Sequence, residues 1–128
     1  MRKLSVQQQN MVAEEAIRHH AKYWRDATVP PALLEAASLR GVNCAESIFL
    51  KLEIDYPGMP RLFGILLTNS GRFIEFEIET DESHSTIENV ETWRDVTEKQ
   101  NLNIQNRGTG IGTGALALKV LHELNANV

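Results

Sequence analysis

"RLFGILLTNSGRFIEFEIETD", residues 61–81, decides the fold. Two runs of alternating character flank Asn69-Ser70-Gly71, a three-residue hairpin loop with a glycine available for the left-handed position. Setting Thr68 against Arg72 fixes the register. Leu66 then opposes Ile74, Gly64 opposes Phe76 and Leu62 opposes Ile78, all on one face, which is expected to pack on helices. The other face carries Phe63, Ile65, Leu67 and Phe73, followed by Glu75, Glu77 and Glu79. It is part apolar and part acidic.

Upstream, "SIFLKLEID" (residues 47–55) has a period of two, which predicts a half-buried strand. Ile48, Leu50, Leu52 and Ile54 fall on one side, with Lys51, Glu53 and Asp55 on the other. "YPGMP" (residues 56–60) breaks this strand from the hairpin. Downstream, "VETWRDVT" (residues 90–97) completes a four-stranded antiparallel meander. Before the strands, Leu4 to Arg25 repeats apolar residues at helical spacing (Val6, Ala13, Ile17, Ala21, Trp24), and Ser5 with Gln8 forms a capping box. A shorter helix starts near Pro31 and stops at Gly41. "ALALKVLHELN" (residues 115–125) predicts a buried C-terminal helix packed on the sheet. The order is two helices, a meander and one helix. This is an α+β arrangement in a single domain spanning residues 1–128.

Composition sets outer limits. Hydrophobic residues make up 42% and charged residues 23% of the 128, which is the balance of a folded globular chain. No apolar run reaches the ~20 residues that cross a bilayer, and Gln7–Gln9 occupy the place of a signal peptide's apolar core. A cytoplasmic protein with no membrane association is the expectation. Cys44 is the single cysteine, so neither an internal disulfide nor a thiolate cluster can form within the chain. The net charge of −4 argues against a nucleic-acid partner and is compatible with a basic protein.

"NRGTGIGTGALALKVLHEL" (residues 106–124) carries the pattern G-x-G-x-x-A at Gly110, Gly112 and Ala115. A dinucleotide fingerprint needs an apolar strand before the glycines and a second strand after the helix. The preceding "NLNIQNR" is mostly polar and only 13 residues follow Ala115, so a Rossmann unit does not fit. A weaker possibility survives: backbone amides of Gly112, Thr113 and Gly114, with Arg107 beside them, could hold an anion at the helix start. The simpler reading is a tight turn that lets the helix press on the sheet.

The four histidines, His19, His20, His84 and His122, show no metal-ligand spacing, and no metal or cofactor is expected. "TDESHST" (residues 80–86) places Asp81, Ser83 and His84 together, but sequence neighbours rarely converge as a triad, and a solvated loop is expected.

The acid column is more informative. Glu75, Glu77 and Glu79 project from one strand at intervals of about 6.8 Å, with Glu53, Asp55 and Asp81 expected near them. Such a column is unfavourable unless cations or cross-strand partners balance it. An exposed meander offers neither the deep cleft of a glycosidase nor the oxygen-rich loop of a calcium site. Protein docking fits better, with Phe63, Ile65, Phe73 and Trp93 as apolar anchors beside the charges.

In size, acidity, single α+β domain, the column "FIEFEIETDE" (residues 73–82) and the ending "GTGALALKVLHELN" (residues 112–125), the chain resembles small cytoplasmic immunity proteins of bacterial toxin–immunity systems. The resemblance implies a non-enzymatic inhibitor of a basic, nuclease-like toxin, with carboxylates mimicking the charge of phosphate. It carries over no individual residue. The alternatives are a small enzyme or anion- or nucleotide-binding domain using the Gly108–Gly114 loop, and a subunit held in a larger complex through Trp93 and the hairpin.

Overall fold

The computed structural model describes residues 5–55, 60–96 and 113–126. In chain order these form α1 (Val6–Asp26), α2 (Pro31–Leu39), a single 3-10 turn (Cys44–Glu46), β1 (Ile48–Asp55), β2 (Arg61–Leu67), β3 (Phe73–Thr80), β4 (Ile87–Val96) and α3 (Thr113–Ala126). The four strands make one antiparallel sheet in the order β1-β2-β3-β4, so the α+β meander holds.

Local chemistry explains the element ends. Ser5 Oγ accepts from the Gln8 amide at 3.1 Å while Gln8 Oε1 accepts from the Ser5 amide at 2.9 Å, closing the capping box that starts α1. α2 opens on Pro31 and ends with the Val42 amide donating to the Ala37 carbonyl at 2.9 Å. At the hairpin, Gly71 takes a φ of +88°, which an L side chain disfavours, and the Thr68 amide donates to the Arg72 carbonyl at 2.9 Å. The expected register follows: Leu62 faces Ile78, Gly64 faces Phe76 and Leu66 faces Ile74.

Both faces of the sheet bury apolar side chains. On the first face, Leu62, Leu66, Ile74, Phe76 and Ile78 pack with Ala32, Leu33, Ala36 and Ala37 of α2. On the second, Leu67, Phe73 and Val96 pack with Ala21 of α1 and Ala117, Val120 and Leu121 of α3. The first face packs on a helix as expected, and the second face, whose cover the sequence left open, is covered at one end by α1 and α3. The same alternation that points Leu66 to α2 points Leu67 and Phe73 to the opposite side, where they need a cover of their own.

β1 also departs from simple alternation. A register shift between Phe49 and Lys51 makes Leu50 the extra residue of a bulge. Ile48 and Leu50 consequently join the α1/α3 side, whereas Leu52 and Ile54 join the α2 side, rather than all four sharing one face. β4 starts at Ile87, three residues before the expected strand, and carries two further shifts opposite Glu77/Ile78 and Glu79/Thr80.

Arg18 fastens α1 to α3. It donates to Glu14 at 2.8 Å, to Glu15, and to Glu123 of α3 at 2.6 Å, while Lys119 of α3 reaches Glu14 at 2.7 Å. Lys119 and then Arg18 hold the Glu14 carboxyl below its ordinary value of 4.5, and Arg18 does the same for Glu123. A carboxylate with a lowered folded value stabilises the fold above the unfolded value and loses that contribution as pH falls through the folded one. Arg18→Gln is therefore expected to lower the melting temperature at neutral pH. The gap from the parent protein should close on acidification through the carboxylate range. A gap unchanged at all pH values would show that the cluster acts by packing alone.

Candidate functional site: the open half of the second sheet face

Cross-strand register sorts the second face into rows. The row Leu67–Phe73–Val96, with Ile48 and Leu50, lies under α1 and α3. Three further rows continue away from that cover: Lys51–Ile65–Glu75–Arg94, Glu53–Phe63–Glu77–Thr92 and Asp55–Arg61–Glu79–Asn89. Four strands about 4.8 Å apart and three rows about 6.8 Å apart make a patch of roughly 15 Å on a side.

The acid column lies on this patch, but it is not unbalanced throughout. Arg61 donates to Glu77 at 2.7 Å and to Asp55 at 2.9 Å, bridging β1, β2 and β3. Arg94 of β4 donates to Glu75 at 2.9 Å. Two of the three column glutamates are thus answered by arginines within the fold. Glu79 makes no ion pair among the described residues. It lies beside Glu91, the extra residue of the β4 bulge, and that neighbouring carboxyl holds Glu79 above its ordinary range against the pull of Arg61 opposite it on β2. Glu53 stands exposed opposite Phe63 and has no ion pair among the described residues. The patch keeps a surplus of negative charge at Glu53, Glu79 and Glu91.

The sequence-derived anchors divide. Phe63 is half-buried on the open patch, with Lys51 Nζ 5.5 Å and Arg61 Cζ 5.7 Å from its ring centre. Ile65 and Phe73 are corrected to core residues: both are buried, Phe73 beneath α1 and α3. Trp93 is corrected to the opposite face. It pairs with Phe76 across the strands, stacks on it at 6.0 Å and lies 5.2 Å below the Arg40 guanidinium. An aromatic in a strand has no outward preference of its own, and the alternation from Thr92 to Arg94 decides where Trp93 goes. Asp81 lies past the end of β3. Its carboxylate accepts from the Ser85 amide at 2.8 Å and the Thr86 amide at 3.1 Å, and these bonds, Thr86 first, lower its value.

That loop differs from the expected solvated segment in one respect. His84 is buried, at a φ of +57°, and its carbonyl accepts from Ala32 at the start of α2. Asp81 and Ser83 hydrogen-bond at 3.0 Å, but with His84 buried they form no accessible acid–base–nucleophile group. Cys44 is half-buried, and burial pushes its thiol up to about 11, far from a reactive thiolate.

Of the glycine-rich segment, Arg107, Gly110 and Gly112 lie outside the described residues. Thr113 is the first residue of α3, and Gly114 is buried in its first turn. Among the described residues, no three His, Cys, Asp or Glu side chains are grouped to hold a metal ion, and no helix is long and apolar enough to cross a membrane.

The open patch also contains what the sequence does not mark: Lys51, Arg61, Thr92 and Arg94 belong to the same surface as the column. The signal was the register itself, because each opposes a column or anchor residue once the strands are paired. The Glu79–Glu91 contact needed the β4 bulge, which nothing in the sequence announces. It leads to a test. A carboxyl whose folded value is raised opposes folding once ionised, and that penalty is absent at acid pH. Glu91→Gln is expected to raise the melting temperature at neutral pH and to have no effect below the carboxylate range. A lower melting temperature at neutral pH would mean that the pair is supported by contacts other than its charge.

No protein-family model, curated protein or solved structure matches the chain.

Proposed function

We propose that this chain is a non-enzymatic binding protein that docks a basic protein against the open half of its sheet, in the manner of an immunity protein neutralising a toxin. The observation that carries this reading is the uneven use of one sheet face. Among the described residues, α1 and α3 cover the end containing Leu67 and Phe73, and no helix covers the end containing Phe63 and the acid column. On that open end, Glu79 and Glu91 stay together at a cost that a cation from outside would relieve. Unfavourable local charge retained on an open surface is more economically explained by a partner than by stability. Partial pairing of Glu75 and Glu77 with Arg94 and Arg61 fixes their geometry and leaves the negative surplus on the rim.

The test is selection of a random peptide library on the immobilised, folded chain. Enriched peptides are expected to be rich in lysine and arginine and to lose binding as ionic strength rises. Enrichment of acidic or uncharged peptides whose binding is indifferent to salt would contradict the proposal.

A further inference from the structure

At the centre of the open patch is a cleft of about 280 Å³, lined among others by Lys51, Arg61, Phe63, Glu75, Glu77 and Thr92. We infer that this cleft is an anchor pocket for one aromatic side chain of the partner, carried on a segment whose flanking residues are basic. The inference rests on the docking reading above and specifies what docks.

Size gives the first argument. Pockets for drug-sized ligands and cofactors run from roughly 300 to 1,000 Å³, and this cleft falls just below them, which leaves room for one large side chain. The patch of roughly 15 Å on a side suits a segment with one anchor better than a broad flat surface.

Charge gives the second. The lining holds two cations, Lys51 and Arg61, and two carboxylates, Glu75 and Glu77, with Glu77 bonded to Arg61 and Glu75 to Arg94. The pocket itself is therefore close to neutral, and a charged side chain entering it would lose its hydration without finding a free opposite charge other than the Lys51 ammonium. The surplus carboxylates Glu53, Glu79 and Glu91 lie around the cleft and not in its lining. Neutral inside and anionic outside selects an uncharged anchor with lysines or arginines on either side.

Surface chemistry gives the third. The floor is the half-buried ring of Phe63 beside Ile65, and the Lys51 ammonium and Arg61 guanidinium stand next to that ring. An incoming aromatic ring offers these cations a second π face and stacks on Phe63, which an aliphatic side chain does not. A central aromatic in a desolvated pocket ringed by charge pairs is the arrangement of an interface hot spot.

Three synthetic peptides test this by titration into the isotopically labelled protein, read as amide shifts at Phe63, Ile65 and Thr92. They are Lys-Arg-Lys-Phe-Lys-Arg-Lys, the same peptide with alanine in place of phenylalanine, and Glu-Glu-Glu-Phe-Glu-Glu-Glu. The first is expected to bind about tenfold more tightly than the second, with its largest shifts at those three amides. Thr92→Trp, which fills the cleft from β4, should remove that advantage and leave the alanine peptide's binding as it was. Phe63→Leu, which keeps the strand covered, should do the same if the first variant fails to fold. Equal binding of the two basic peptides would overturn the anchor pocket and leave the acidic docking face standing. Binding of the acidic peptide alone, or of none of the three, would overturn the docking face and the anchor together.

Discussion

Gly64→Val is expected to abolish the folded state. A Cβ at position 64 would lie 1.9 Å from the Lys51 carbonyl oxygen and 2.6 Å from its carbonyl carbon. Both are backbone atoms of β1, held by the ladder that pairs Leu52 with Gly64, so no flexible side chain can move aside. The strands must separate where Gly64 faces the Lys51–Leu52 backbone, and separation uncovers Leu52 and Leu62 beneath α2. Overpacking that only shifts side chains costs about 1–3 kcal/mol. A clash with paired backbone exceeds this, and total stability for a domain of this size is about 5–15 kcal/mol. The expected result is a collapsed amide spectrum and loss of a cooperative melt. A dispersed spectrum with a melting temperature within a few degrees of the parent would refute the close approach of β1 and β2. The open face would lose its basis with it, because Lys51, Glu53 and Asp55 are placed by that pairing.

The second large effect concerns binding. Replacing Glu53, Glu79 and Glu91 together by lysine should weaken binding of any basic partner by about a hundredfold or more, since like-charge juxtaposition across an interface costs several kcal/mol. Most of the change is expected in the association rate and in its dependence on salt. The fold should survive. Glu53 and Glu91 are exposed, and positions 79 and 91 exchange one like-charge pair for another; the lysine at 79 also faces Arg61 across the strands, so a modest fall in melting temperature is expected. Glu75 and Glu77 are deliberately spared because their removal would also orphan Arg94 and Arg61. Undiminished binding by a folded triple variant would place the docking surface elsewhere.

Residues 61–81 alone carried the hairpin, its loop, its register and the outward direction of Glu75, Glu77 and Glu79, because a period of two leaves a single self-consistent pairing. The capping box at Ser5 and Gln8 was equally legible, being entirely local. What escaped were effects that depend on distant partners. The bulge at Leu50 reversed the sides of Ile48 and Leu50 relative to Leu52, and bulges insert a residue without changing composition. Phe73 read as an exposed anchor because α3, which covers it, follows more than thirty residues later in the chain. Trp93 followed from the alternation of β4, whose start lay three residues earlier than its apolar pattern suggested. For the site, the carboxylates could be read one strand at a time. Their arginines could not, because Arg61 and Arg94 become partners of Glu77 and Glu75 only after β2, β3 and β4 are side by side.

On the proposal made above, one half of one sheet face receives a basic partner. The most direct measurement is amide hydrogen exchange on the folded chain, alone and saturated with a lysine- and arginine-rich binder obtained from the peptide selection. Slowed exchange is predicted at residues 51–55, 61–65, 75–79 and 89–94, with α2 and the outer surface of α1 unchanged. Protection confined to α2, or to the exposed side of α1 around Met11 and Val12, would place the basic partner on a different surface.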